Sequence, residues 1–181
     1  MTINEYLLKM KGGAKSPPAV GGTELLWSWL GAMIGIGLCG FFSSKYFEPR
    51  DLTLLIGSFG ASAVLVYGAI KSPLAQPRNL VGGHIVSGLV GVASYQLFGG
   101  TLWIAAAMAV SIAIVMMLVT KTLHPPGGAT ALIAVIGGAK IHSLGFLYAV
   151  LPAGTGAVIL LAVALIVNNL SRNRRYPEYW I

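Results

Sequence analysis

The segment 121–132, Lys-Thr-Leu-His-Pro-Pro-Gly-Gly-Ala-Thr-Ala-Leu, constrains this chain more than any other. It sets a histidine, two prolines and two glycines into a sequence that otherwise consists of long apolar runs. In hydrocarbon every backbone N–H and C=O must find a partner, so such an interruption persists only where protein or a water-filled cavity covers it. Interruptions of this kind accompany paths for substrates or ions. The break therefore predicts a membrane protein with its site near residues 124–131. Charged residues make up only 9% of the chain, against about a quarter in soluble domains.

Six apolar runs follow one another, at 25–42, 52–70, 80–98, 102–120, 126–138 and 144–168. A helix needs roughly 20 residues to span a bilayer core. Five runs meet that length, and the fifth does so only if Leu123–Pro126 also lies in the membrane. The expected fold is an all-α membrane protein of about six transmembrane helices. One transmembrane domain is expected over 25–168, after a cytoplasmic segment 1–24 and before a basic cytoplasmic tail 169–181. Tyr6, Leu7, Leu8 and Met10 beside Lys9 and Lys11 predict a short interfacial helix, ended by Gly12-Gly13 and Pro17-Pro18. With 24 polar-rich residues before the first run and no small-residue cleavage site after it, no signal peptide is expected.

The net charge of +7 reads as topology, not as a nucleic-acid surface, because the basic residues sit between the runs. Six crossings with the N-terminus inside place Lys9, Lys11, Lys15, Lys71, Arg78, Lys121, Arg172, Arg174 and Arg175 in the cytoplasm. Only Lys45, Arg50 and Lys140 then lie outside. Treating runs two and five as hairpins would erase this bias. Both termini are therefore expected in the cytoplasm, with Trp27 and Trp29 near the inner interface and Tyr46 and Trp103 near the outer one.

An internal echo links the two halves. Phe59-Gly-Ala-Ser-Ala-Val-Leu65 resembles Gly127-Gly-Ala-Thr-Ala-Leu-Ile133 at an offset of 68 residues, each on the middle run of three. Two such halves would be oppositely oriented, giving inverted three-helix repeats with broken or short middle helices. Helix N-termini carry partial positive charge and unpaired N–H donors. Two of them meeting near the midplane would form a small anion site. Its candidate substrate-binding residues are Ser58, Gly60, Ala61, Ser62, His124, Gly127, Gly128, Ala129 and Thr130. The hydroxyls would donate hydrogen bonds, and the glycines would let an ion approach the backbone. Pro125 and Pro126 suit a first helical turn. The same segments also read as ordinary small-residue helix contacts beside a tight Pro-Pro turn.

The loop 71–79 carries Lys71, Gln76, Arg78 and Asn79, either an electrostatic mouth for anions or a set of topology determinants at the headgroups. After it Gly83, Ser87 and Gly91 recur every four residues, as a close helix packing does. His84 and His124 could move protons with an anion, although His124 could equally hold the Pro-Pro turn by a hydrogen bond. His142 is expected to be solvated. Glu5, Glu24, Glu48, Asp51 and Glu178 all fall outside the runs, which argues against a carboxylate-driven cation pump and against hydrolysis. Three scattered histidines make no metal site, and the lone Cys39 is a packing residue.

The segments His-Pro-Pro-Gly-Gly-Ala-Thr-Ala (124–131), Gly-Ser-Phe-Gly-Ala-Ser-Ala (57–63), Ser-Pro-Leu-Ala-Gln-Pro-Arg-Asn (72–79) and Gly-Gly-His (82–84) together resemble the HPP family of integral membrane proteins. The resemblance spans about residues 25–168. It implies a multi-spanning protein, often described with four spans where the charge bias gives six. Relatives in cyanobacteria and plant plastids have been linked to nitrite transport. Some carry C-terminal regulatory domains, which are not expected in a chain that ends at Ile181. The leading expectation is a transporter or channel for a small monovalent anion, nitrite above all, in a bacterial inner membrane, without cofactor, metal or nucleic acid. The lipid bilayer and a second copy of the chain are the expected partners. The competing class is a membrane sensor or assembly module without flux, in which the stripes Gly31–Gly35 and Gly83–Gly91 would serve oligomerisation. An enzyme is not expected, since no nucleophile and base stand together.

Overall fold

The computed structural model describes residues 2–181, whose regular elements are all helical, with no strand among them. α1 (Ile3–Lys9) is the short exposed helix expected at the N-terminus, with Thr2 and Glu5 capping one another. Four helical stretches are long and apolar enough to cross a membrane: Gly22–Arg50, Pro77–Phe98, Leu102–Val119 and Gly145–Leu170. They contain α2 (Gly22–Phe42), α4 (Pro77–Phe98), α5 (Leu102–Val119) and α8 (Thr155–Leu170), respectively. Two shorter apolar helices complete the bundle. α3 (Ser58–Ala63) continues as a wider π-helical turn to Gly68, and α6 covers Pro125–Ile136. A one-turn α7 (Ala139–His142) follows α6.

Runs two and five are thus not full helices. In run two, residues 52–56 are extended, because Ser43 Oγ at the end of α2 accepts hydrogen bonds from Leu54 N and Leu55 N and draws that strand back along the helix. In run five the residue before a proline is pushed out of the α region. His124 accordingly has φ −140° and ψ 105°, and α6 begins only at Pro125. At 12 residues it is about 18 Å long. The last run is broken as well. Leu151, which precedes Pro152, has φ −131° and ψ 111°, so the regular part of the final span starts at Thr155.

The helices pack as two interlocked sets. α2 lies on α8 and on α3, α5 lies on α4 and on α6, α3 meets α8, and α6 meets α4. The two short helices touch each other, as do α4 and α8. Exchanging α2 with α5, α3 with α6 and α4 with α8 leaves this set of contacts unchanged.

Glycines set how close these surfaces come. A Cβ on Gly31 would stand 2.6 Å from the Tyr67 ring, and one on Gly91 would stand 2.6 Å from the Ala131 carbonyl oxygen. Gly83 abuts His124 and the Thr122 carbonyl, and Gly35 faces the Tyr67 hydroxyl. Both stripes that the competing class would use for oligomerisation are filled from within the chain, the first by Tyr67 and the second by α6 and its lead-in, as close helix packing requires. Cys39 is fully buried against α8, as a packing residue should be.

Side chains tie the ends of the bundle. At one end Arg174 bridges to Glu24, Arg78 donates to the Thr120 carbonyl, and Tyr176 donates to the Ala75 carbonyl. At the other, Lys140 pairs with Asp51. The tail after α8 is more than a basic extension: Tyr176 is buried, its phenol pushed up by that burial, and Glu178 N donates to Gln76 Oε1.

Candidate functional site: a buried hydroxyl and imidazole cluster

Helical spacing puts Ser58 and Ser62 on one face of α3, a turn apart. Opposite them Thr130 projects from the middle of α6, His124 from its cap, and His84 from the second turn of α4. The close approach at Gly83 and at Gly127, whose missing Cβ leaves room for Ser87 Oγ and the Gly83 carbonyl, lets α6 settle onto α4. That contact brings the His84 and His124 rings to a centroid distance of 5.2 Å. Ser62 Oγ sits between them, 2.8 Å from His84 Nε2 and 2.9 Å from His124 Nε2.

The outer faces of the two rings are also engaged. His84 Nδ1 lies 2.7 Å from Thr130 Oγ1, and Thr130 donates to Ser58 Oγ at 2.9 Å. His124 Nδ1 lies 2.8 Å from the Leu74 carbonyl oxygen. Phe59 packs edge-on against His84, and Tyr148 donates to the Thr130 carbonyl. Ser62, His84, His124 and Thr130 are all 0% exposed. His84 lies seven residues into α4, a rise of about 10 Å from its start. Ser62 and Thr130 occupy equivalent positions of the internal echo, so each half contributes one hydroxyl at the same place.

This arrangement gathers Ser58, Ser62, His84, His124 and Thr130 and leaves the other candidates outside. Gly60 and Ala61 are exposed, and Gly60 lines an apolar groove between α2 and α3 with Ala32, Ile36 and Val64. Gly128 and Ala129 line the matching groove between α5 and α6, about 560 Å³, with Val110, Ile114 and Leu132. Gly127 is a packing glycine. The short helices lie side by side and antiparallel, with Ser62 beside His124 and Ser58 beside Thr130, so their N-termini do not meet tip to tip. Pro125 and Pro126 carry no N–H, Gly127 N donates to the His124 carbonyl, and Phe59 N and Gly60 N donate to Ile56 and Gly57 carbonyls. These helix-start N–H groups of Gly127, Phe59 and Gly60 are thus already paired, while the hydroxyls and imidazoles supply the side-chain hydrogen bonds at this centre.

The loop candidates hold the chain together. Gln76 is buried and donates to the Ile70 and Ser72 carbonyls, and Asn79 donates to the Leu123 carbonyl. Arg78 is half-buried on Thr120, while Lys71 is exposed and lines a cleft of about 400 Å³ with Glu24, Asn173 and Arg174. His142 is packed where solvation was expected: its ring stacks on Tyr95 at 3.7 Å and its Nε2 lies 2.9 Å from the Val135 carbonyl. His124 steadies the 71–79 loop through Leu74, not the Pro-Pro turn. No group of three His, Cys, Asp or Glu able to hold a metal occurs among the described residues.

Sequence reasoning missed the second buried network. The Arg174 side chain is 1% exposed; it pairs with Glu24 at 2.6 Å and donates to Asn168 Oδ1 and Ser28 Oγ. Asn168 and Ser28 in turn donate to the Val66 and Tyr67 carbonyls of the π-helical turn. An asparagine inside an apolar run was the available signal. The partnership of Glu24 with a residue 150 positions away was not.

These features define a polytopic α-helical membrane protein with a hydroxyl and imidazole centre, free of carboxylates, between two short helices. The chain belongs to the HPP family: the profile of the HPP transmembrane region matches residues 17–177. It is similar to two transmembrane proteins of Dictyostelium discoideum. One is 49% identical over 97% of this chain and 57% of the relative, the other 42% identical over 99% of this chain and 65% of the relative. The chain thus spans about three fifths of the length of these relatives. No solved structure matches it.

Proposed function

We propose that this chain carries a small monovalent anion, nitrite foremost, across the membrane through the cluster at Ser58, Ser62, His84, His124 and Thr130. The observation that carries the reading is the convergence of these side chains from α3, α4 and α6 at a fully buried point, with no carboxylate between residues 52 and 177. Hydroxyls and imidazole N–H groups donate hydrogen bonds, so they can replace the hydration shell of an anion. A buried carboxylate would repel it.

The chain crosses six times in this reading. The Lys140–Asp51 pair supports it by putting the ends of runs one and five on one side, and the contacts of Glu24, residues 71–79, Thr120 and Arg174 put the alternate ends on the other. Extended lead-ins at about 3.3 Å per residue lengthen the reach of both short helices. The exchange symmetry of the packed pairs supports two inverted halves with α3 and α6 as their middle members. The charge bias makes the Arg174 side cytoplasmic.

A second reading, a membrane module without flux, draws on one observation. Every buried side-chain polar atom among the described residues already has a partner, as in a cluster that only pins helices together. Nitrite uptake into proteoliposomes separates the two, with protein-free liposomes at alkaline pH as the baseline, since nitrous acid crosses lipid unaided. Uptake that depends on protein and is lost in folded Ser62→Ala is expected. Folded protein without uptake above baseline, for nitrite, nitrate and formate alike, would select the module.

A further inference from the structure

Ser62 Oγ stands between two imidazole nitrogens with a single hydroxyl hydrogen to give. The Leu74 carbonyl can only accept, so His124 Nδ1 carries a hydrogen. Thr130 has one hydroxyl hydrogen; with it on Ser58 Oγ none is left for His84, and His84 Nδ1 then donates to Thr130. If both rings are neutral, each Nε2 is then a bare lone pair facing Ser62 Oγ, at 2.8 Å and 2.9 Å. One hydroxyl hydrogen serves only one of them, while the Ser58 carbonyl lies further from Ser62 Oγ, at 3.3 Å.

We propose that His84 and His124 take up one additional proton between them, shared across Ser62, and that this proton binds together with the anion. In one arrangement His124 Nε2–H donates to Ser62 Oγ, and Ser62 Oγ–H donates to His84 Nε2. Passing the His124 hydrogen to Ser62 while the Ser62 hydrogen moves to His84 gives the mirror arrangement. One proton arrives at the serine as one leaves, and the positive charge moves from one imidazole to the other. The groups that face the pair supply no counter-charge. From α3 they are Ser58, Phe59 and Ser62, from α6 Thr130, and from the turn at 145–149 the neutral Tyr148. Arg78 at the start of α4 is turned to Thr120, Lys71 is exposed in its loop, and the nearest acidic residues in sequence are Asp51 and Glu178. An isolated buried charge is strongly disfavoured, so the counter-ion must come from outside the protein. Proton and anion then bind as a neutral pair, one to one. The inference rests on the anion reading for the identity of that counter-ion alone.

The test is 15N NMR of histidine-labelled full chain in nanodiscs between pH 5 and 8, with and without nitrite, the His142 signal being assigned with His142→Gln. Nitrite should shift Nε2 of both remaining rings together in a single step worth one proton. In Ser62→Ala the two rings should titrate separately, with a loss of at least tenfold in nitrite affinity, and a melting curve checks that the variant is folded. Two fixed neutral rings at every pH, in nitrite, nitrate and formate alike, would overturn the proposal. A shared proton in a protein that shows no uptake would uphold it and remove the transport reading instead.

Discussion

Two buried polar networks hold this bundle, and they are built on opposite principles. At one end of the bundle Arg174 is matched by the Glu24 carboxylate, with Asn168 and Ser28 taking its remaining donors. Charge is balanced there and the groups are fixed in number. At the centre between the short helices, two imidazoles and three hydroxyls face one another with no charged residue among them. A balanced network locks elements together, and breaking it leaves an unpaired buried charge. On the proposal above, the one without charged residues is completed by a proton and an anion that the chain does not supply. The comparison sets a structural role for the first against the anion path proposed for the second.

The largest effect should come from the balanced network. Arg174→Met strands Glu24 and frees the tail, and should lower stability by about 3 kcal/mol. A thermal midpoint equal to that of the parent would break the comparison at its first term. Next is Gly91→Val, whose added Cβ would stand 2.6 Å from a backbone oxygen. Overpacking there should cost about 1–3 kcal/mol, read as reduced yield of folded protein in detergent. Ser62→Ala should cost only about 1 kcal/mol yet remove transport, a split between melting and uptake that a purely structural serine would not give. Gly128→Val comes lower still, because an added Cβ at this position has only Val110 nearby, at 3.9 Å. Melting and uptake close to the parent are expected, and lost uptake in folded protein would move the path into the α5–α6 groove. The smallest effect belongs to Asp51→Asn, since its pair with Lys140 is largely exposed. Such pairs contribute about 0–1 kcal/mol, and a thermal shift of several degrees would show that this contact holds its end of the bundle together.

Much of this was legible in the residues themselves. Apolar runs gave the helices, prolines placed the start of α6, and the Gly-Ala-Ser/Thr-Ala echo pointed to the two positions, Ser62 and Thr130, that meet the imidazoles. What failed was direction in space. Gly60 and Gly128 follow the same echo but face outward grooves, because one residue along a helix turns a side chain by roughly 100°. The run at 52–70 looked like one span since apolarity does not distinguish helix from extended chain, and it was a single hydroxyl, Ser43, that drew its first part straight. His84 and His124 were each read alone. Their meeting depends on α6 settling against Gly83, a contact no local pattern encodes.

The most direct test of the central claim is equilibrium binding of nitrite to the purified chain by isothermal titration calorimetry, with Ser62→Ala and Gly128→Val measured beside it. The account predicts that the parent and Gly128→Val bind alike and that folded Ser62→Ala does not bind. Equal binding in Ser62→Ala, or binding lost only in Gly128→Val, would contradict it.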